Sequence, residues 1–130
     1  MIIEDYPGSL GDRMTRLRGI LSDKRDIVLI GSSYGGLMAA MYACDNEHQI
    51  KRLILLAPAI NLEEFKPYLN RKIKVPVILY HGNRDDVVPL KQVYGIASKI
   101  FQNLSHHIVD DDHPLSETFT SFDWDTLLSD

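Results

Sequence analysis

The chain has 130 residues, a net charge of −4 and a single cysteine, and 45% of its residues are hydrophobic. These values predict one globular domain over residues 1–130, and the acidic balance argues against a nucleic-acid partner. No apolar run approaches the ~20 residues of a membrane span, and we expect no membrane partner. The N-terminal residues do not resemble a signal peptide, and the lone Cys44 favours the reducing cytoplasm.

Helices and strands are predicted to alternate along the first half of the chain. Residues 1–3 are predicted to be the stub of a strand, and Ser9 or Asp12 to cap the helix that follows. The apolar face of that helix comprises Met14, Leu17, Ile20 and Leu21, and the arginines off that face, predicted to be solvated, are Arg13, Arg16 and Arg18. A fully apolar strand over 27–30 comes next, and it leads into a helix that ends near Asn46.

The second half is predicted to continue the alternation. Apolar strands at 53–57 and 75–80 enclose a mixed, short helical stretch at 61–70. A helix begins near Pro89, where the first helical turn tolerates proline. The strand at 104–109 is more polar than the others, which predicts a position nearer the edge of the sheet.

A terminal helix over 116–128 completes the predicted order. Strands and helices that alternate with short links favour a parallel sheet with right-handed crossovers. The predicted fold is therefore α/β, a three-layer α/β/α sandwich with a short, mostly parallel sheet. Functional groups in such sheets collect at the carboxyl ends of the strands.

Ser33 occupies the most informative turn of the sequence. It has glycines two residues before and two residues after it, at Gly31 and Gly35, between an apolar strand and a small-residue helix. This is the nucleophile-elbow pattern, in which a sharp turn excludes side chains at the glycines and strains the serine backbone. A simple Gly/Ser turn is the alternative interpretation. Ser32 precedes the apex and is the weaker candidate.

A serine hydroxyl needs a base within hydrogen-bond reach, and the base needs an orienting carboxylate. His113 follows the last predicted strand, and Asp85 follows the strand before it. The order Ser33, Asp85, His113 is the one expected when an elbow serine is served by later strand ends.

Three stretches resemble the α/β-hydrolase superfamily: Gly31-Ser32-Ser33-Tyr34-Gly35-Gly36, His81-Gly82-Asn83-Arg84-Asp85-Asp86-Val87-Val88-Pro89 and Asp110-Asp111-Asp112-His113. The second is similar to the H-G-x-x-D-x-x-V-P loop of that family, whose aspartate is the triad acid. The third is similar to the loop that presents the triad histidine. Residues 5–8, Asp-Tyr-Pro-Gly, resemble the family's D-x-P-G turn.

The resemblance implies a serine hydrolase without a cofactor, acting on a carboxylic ester or related acyl bond of a small molecule. Ser33 would attack the acyl carbonyl and His113 would take its proton. Asp85 would orient and stabilise the imidazole. The backbone N–H of Tyr34, at the start of the elbow helix, would donate to the oxyanion.

The chain departs from the family in its N-terminal part. The family sheet is usually eight-stranded, and the strand beside the nucleophile strand, whose following loop supplies a second oxyanion N–H, has no counterpart before Ser33. We therefore expect a homo-oligomer, or a partner chain that covers this edge. The alternative interpretation is a catalytically impaired remnant that acts as an interaction or oligomerisation module. Residues 58–74 are too short for a substantial cap, which predicts an open site.

The other titratable residues receive structural interpretations. The spacing from His81 favours Asp85 over Asp86, which is predicted to cap the helix beginning near Pro89. His81 is expected to shape its loop, and residues 110–112 to form a solvated acidic loop. The alternative for these aspartates is that they face His113, where their charge would favour the imidazolium and raise its pKa. His106 and His107 are predicted to lie on opposite faces of a strand and His48 at the surface, so we expect no metal site from the His/Asp-rich tract.

Overall fold

The computed structural model describes residues 9–111. The predicted strand at 1–3, the turn at 5–8, the base candidate His113 and the helix at 116–128 lie outside the described residues.

Four parallel strands form the sheet, in the order β1-β2-β3-β4. Their bounds are β1 Ile27–Ser32, β2 Ile50–Leu56, β3 Ile73–Gly82 and β4 Phe101–Val109. The α/β class is confirmed, and β4 is the last strand in the described order, as its polarity predicts. The last three strands begin earlier than the sequence indicates, because Ile50, Ile73 and Phe101 are buried at their starts.

Three α-helices and two short 3₁₀ helices accompany the sheet. Their bounds are α1 Leu10–Leu21, α2 Tyr34–Asp45 and α3 Leu90–Ile100, with 3₁₀ turns at Glu47–Gln49 and Glu63–Tyr68. Pro67, predicted to interrupt the short helical stretch at 61–70, lies inside the second 3₁₀ helix. No helix within residues 9–111 is long and apolar enough to cross a membrane.

Helix α1 begins with a capping box that uses both residues proposed from the sequence. The Asp12 N–H donates to Ser9 Oγ at 3.2 Å, and the Ser9 N–H donates to Asp12 Oδ2 at 3.4 Å. Two backbone donors at the helix start are thereby satisfied.

Helix α3 begins without a side-chain cap. Pro89 occupies the N-cap position, and no side chain accepts a hydrogen bond there. The prediction that Asp86 caps this helix is therefore wrong. The physical reason is position: α3 begins at Leu90, so Asp86 lies three residues before the N-cap residue.

The two faces of the sheet have separate apolar clusters. The larger cluster combines one side of the strands with buried residues of α1, α2, α3 and the second 3₁₀ helix, including Leu17, Met38, Leu55, Phe65, Leu79 and Ala97. The second cluster is built around Ile30, Ile54, Leu56 and Ala57, from the other side of β1 and β2. The three α-helices and the second 3₁₀ helix contribute to the cluster on the first face. The predicted helix at 116–128 lies outside the described residues.

A buried amide ties α1, α2 and β2 together at the end of the sheet opposite Ser33. Gln49 Oε1 accepts from the Tyr42 hydroxyl at 2.6 Å. Gln49 Nε2 donates to the carbonyls of Leu21 at 3.1 Å and Lys24 at 2.9 Å. Gln49 is only 7% exposed, so these bonds satisfy groups that water does not reach.

We predict that Gln49→Ala lowers the free energy of unfolding by about 1–3 kcal/mol, because it leaves a buried hydroxyl and two carbonyls without their partner. Urea unfolding followed by circular dichroism measures the change. Gln102→Ala, on the exposed surface of β4, is the matched control and should shift stability by less than about 0.5 kcal/mol. Equal stability of the two variants would contradict the prediction.

Candidate active site

The carboxyl ends of the strands meet at one rim of the sheet. Ser33 follows β1, Pro58 comes soon after β2, Asp85 follows β3, and Asp110 directly follows β4. Because the strands are parallel and adjacent in chain order, these segments share one side of the molecule.

Ser33 has the backbone conformation expected of an elbow serine. Its φ of 53° and ψ of −115° lie in a region that side-chain-bearing residues rarely adopt. Its N–H donates to Leu56 O at 2.9 Å, and its carbonyl accepts from Ala59 N at 2.9 Å and Leu37 N at 3.1 Å. The end of β2 and the start of α2 therefore hold the strained residue in place. Strain of this kind costs about 1–3 kcal/mol and concentrates at functional sites.

Two glycines make this turn possible. A Cβ added to Gly31 would overlap the backbone of Gly35 and come within 2.8 Å of Gly36 N. A Cβ added to Gly36 would lie 2.8 Å from Pro58 Cα, on the segment that follows β2. The predicted collision at Gly31 is confirmed. The second close approach, at Gly36, depends on β2 and is a contact between segments distant in sequence.

Tyr34 is the first residue of α2. The N–H groups of a first helical turn have no partner within the helix and point toward the positive end of its dipole. The ring of Tyr34 lies under Arg13, whose guanidinium carbon is 5.1 Å from the ring centroid. Arg13 is half-buried, whereas the sequence predicts a solvated side chain. The sequence could not indicate this burial, because Tyr34 becomes a neighbour of Arg13 only when α1 packs beside the elbow.

Asp85 and Asp86 are adjacent but differ sharply in environment. The Asp85 side chain is 0% exposed, and its Oδ1 accepts from the N–H groups of Val87 and Val88, both at 2.8 Å. Asp86 is exposed. The carboxylate with a fixed orientation is therefore that of Asp85.

His81 lies at the base of the same loop. The sequence places it in the loop, but the structure extends β3 through Gly82, so that His81 is a strand residue. Its Nε2 is 2.9 Å from Val88 O and 3.1 Å from Asp85 Oδ2, and its side chain is 0% exposed. The predicted loop-shaping contact is present, and the contact with Asp85 is one that spacing alone did not indicate.

The two strand histidines face opposite sides, as predicted. His106 is paired with Leu79 on the helical face, and its ring centroid is 4.5 Å from that of Tyr94. His107 stacks on Tyr80 at 4.8 Å on the other face. Burial lowers the pKa of the His106 imidazole, and the neighbouring His81 and His107 act in the same direction. His48 is exposed, also as predicted.

The acidic stretch after β4 is only partly solvated. The Arg84 guanidinium lies 3.1 Å from Asp110 Oδ1, with both side chains mostly exposed. Asp111 is 2% exposed, and its carbonyl accepts from Arg84 N at 3.0 Å. The prediction of a wholly solvated loop is wrong at Asp111, because the loop folds back against the one that carries Asp85.

The structure thus places Ser33, Tyr34 and Asp85 at the same rim, on the ends of β1 and β3. His113 lies outside the described residues. Nowhere in residues 9–111 do three His, Cys, Asp or Glu side chains group as a metal site would require.

The parallel sheet and the strained serine between β1 and α2 define an α/β protein with a nucleophile-elbow turn. A sequence model of the α/β-hydrolase fold matches residues 9–70. No curated protein sequence matches the chain. Over residues 9–70, which include the Ser33 turn, the chain is similar to the α/β-hydrolase superfamily.

Solved structures share this fold. The chain is similar to a predicted CIB-like hydrolase from Thermoplasma acidophilum, with a TM-score of 0.73 and 28% identity over 92% of this chain and 60% of that one. It has the fold of an α/β serine hydrolase homologue from Coxiella burnetii (TM-score 0.72, 23% identity, 90% and 57% coverage). It also has the fold of mouse alpha/beta hydrolase domain-containing protein 10 (TM-score 0.71, 20% identity, 86% and 64% coverage). The chain therefore spans about 60% of the length of these structures.

We predict that Gly31→Ala lowers the free energy of unfolding by about 2–4 kcal/mol, because the new methyl group overlaps backbone atoms that cannot move aside. Urea unfolding measures the loss. The matched control is Gly19→Ala in α1, where an added Cβ meets nothing within 4 Å and should stabilise the helix by about 0.5–1 kcal/mol. Equal responses at the two glycines would refute the close approach.

Proposed function

We propose that the protein is a serine hydrolase that cleaves a carboxylic ester or a related acyl bond of a small molecule. The observation that carries the proposal is the positive φ of Ser33 at the N-terminus of α2. Strain at this position is maintained by contacts from the end of β2 and by two glycines. In a nucleophile elbow such a turn exposes the serine hydroxyl at the edge of the sheet.

The proposed roles follow from the chemistry that each group can perform. Ser33 Oγ attacks the acyl carbonyl, and His113 accepts its proton and returns one to the leaving group. Asp85 holds the imidazole in one tautomer and stabilises its charged form. The carboxylate of Asp85 is suited to this role because it is buried and fixed by two backbone N–H groups.

In this proposal the Tyr34 N–H donates a hydrogen bond to the oxyanion of the tetrahedral intermediate, and the helix dipole adds to its stabilisation. An ester is favoured over an amide because its leaving group needs less activation. The stretch between β2 and β3 contains only a 3₁₀ helix, Glu63–Tyr68, which supports an open site.

Labelling by a fluorophosphonate probe tests the nucleophile. We predict that the wild-type chain is labelled and that Ser33→Ala abolishes the labelling, because the probe phosphonylates only an activated serine. Ser32→Ala is the matched control. Ser32 is exposed one residue before the apex, and its loss should leave the labelling rate close to that of the wild type.

Three outcomes are informative. Labelling that persists in Ser33→Ala would refute the nucleophile assignment. Loss of labelling in Ser32→Ala, with Ser33→Ala still labelled, would transfer the role to Ser32. A wild-type chain that is not labelled would favour the alternative function, a non-catalytic interaction or oligomerisation module.

We also propose that the protein associates with itself or with a partner chain along the side of β1, and that it resides in the cytoplasm. β1 is the terminal strand of the described order, and strand edges are surfaces that readily pair with other chains. The cytoplasmic proposal is supported by Cys44, a buried thiol whose pKa burial raises to about 12, so that it is poorly suited to form a disulfide.

We predict that light scattering coupled to size exclusion gives a mass above that of the 14.8 kDa chain, with the excess rising with concentration. A constant monomer mass across the concentration range would contradict self-association. A protein that is monomeric alone and forms a larger complex only with a second protein would support association with a partner chain instead.

A further inference from the structure

His81 and Asp85 form a buried polar pair beneath the candidate site. Both side chains are 0% exposed, and His81 Nε2 lies 3.1 Å from Asp85 Oδ2. The same nitrogen lies 2.9 Å from Val88 O. Strand β3 holds the imidazole, and the loop that follows β3 holds the carboxylate, so the contact joins a rigid element to the loop of the candidate triad acid.

The neighbours of His81 determine its tautomer. A carbonyl oxygen and an ionised carboxylate oxygen both accept hydrogen bonds and cannot donate. Nε2 must therefore carry the proton, which it directs at Val88 O and Asp85 Oδ2 together. The other ring nitrogen, Nδ1, is buried and has no hydrogen-bond partner within residues 9–111.

If the side chain at position 81 served packing alone, an imidazole would be less favourable in free energy than an apolar side chain. A buried polar atom without a partner loses its hydration without regaining a hydrogen bond, and an apolar side chain of similar volume would avoid that cost at Nδ1. The favourable interactions of the ring are concentrated at Nε2. This asymmetry indicates that the N–H aimed at the carboxylate is the feature for which histidine is suited here.

The carboxylate of Asp85 is consequently held at both oxygens. Oδ1 accepts from two backbone N–H groups, and Oδ2 lies against the His81 N–H. A carboxylate oxygen has two lone pairs, so Oδ2 can also accept from a second imidazole. We propose that His81 is a positioning residue that fixes the orientation in which Asp85 serves the catalytic base, an inference that rests on the proposed function.

His81 also closes the loop through Val88 O, and a test must separate that structural role from an effect on Asp85. His81→Leu removes the N–H while keeping similar bulk, and His81→Gln retains an amide donor in its place. His106→Leu is the matched control, since it removes a half-buried imidazole on the same face of the neighbouring strand, where the ring packs on Tyr94.

The primary measurement is hydrolysis of p-nitrophenyl acetate together with the rate of fluorophosphonate labelling. Partners that orient a reacting group typically contribute about 10–100-fold, so His81→Leu should lower kcat by about that factor and leave KM unchanged. His81→Gln should restore most of the rate, and His106→Leu should retain it. The apparent pKa of the pH–rate profile should fall in His81→Leu, because the charged base loses part of its stabilisation by Asp85.

A double-mutant cycle shows whether His81 acts through Asp85. In an Asp85→Asn background, His81→Leu should have no further effect on the labelling rate. A full loss in that background would show that His81 acts on the fold of the loop rather than on the carboxylate, and would overturn the proposal.

The experiment distinguishes failure of the proposed function from failure of the role of His81. A wild-type chain that is not labelled removes the proposed function and the role of His81 with it. A labelled wild type with an equally fast, folded His81→Leu overturns this inference alone. If His81→Leu does not fold, the ¹⁵N spectrum of the wild-type imidazole decides the matter, because a proton on Nδ1 instead of Nε2 would contradict the assignment.

Discussion

The close backbone approach at the Ser33 turn is the constraint on which the rest of the structure depends. The end of β1, the start of α2 and the segment after β2 come together where Gly31 and Gly36 carry no side chains. Ser33 exchanges hydrogen bonds with Leu56 and Ala59 across this junction. The strained serine is stable only because three elements converge on it. The geometry of the candidate site therefore depends on the packing of the sheet.

A second constraint acts on the loop after β3. Val88 in this loop is buried, and the Asp85 carboxylate accepts hydrogen bonds from its N–H and from that of the exposed Val87. The same contacts that fold the loop fix the candidate triad acid. Asp85 therefore combines a structural and a proposed chemical role. His81 contacts both the Asp85 carboxylate and the loop carbonyl of Val88 through its Nε2 atom.

Much of this arrangement could be predicted from local patterns. The glycine spacing around Ser33 and the apolar run before it indicate the elbow, because turn geometry depends on residues adjacent in sequence. The capping box of α1 is readable for the same reason, since Ser9 and Asp12 are three residues apart. Strand starts were harder to place, because the burial of Ile50 and Ile73 depends on helices from other parts of the chain.

The sequence by itself determined the α/β class, the alternation of helices and strands along the chain, and Ser33 and Asp85 as site candidates, because periodicity and turn chemistry are local properties. Only the tertiary structure decided that Asp111 is buried, that Arg13 lies over Tyr34, and that His81 contacts Asp85. These facts depend on which segments meet across the sheet. Burial and side-chain pairing arise from contacts between residues distant in sequence, and no spacing along the chain encodes them.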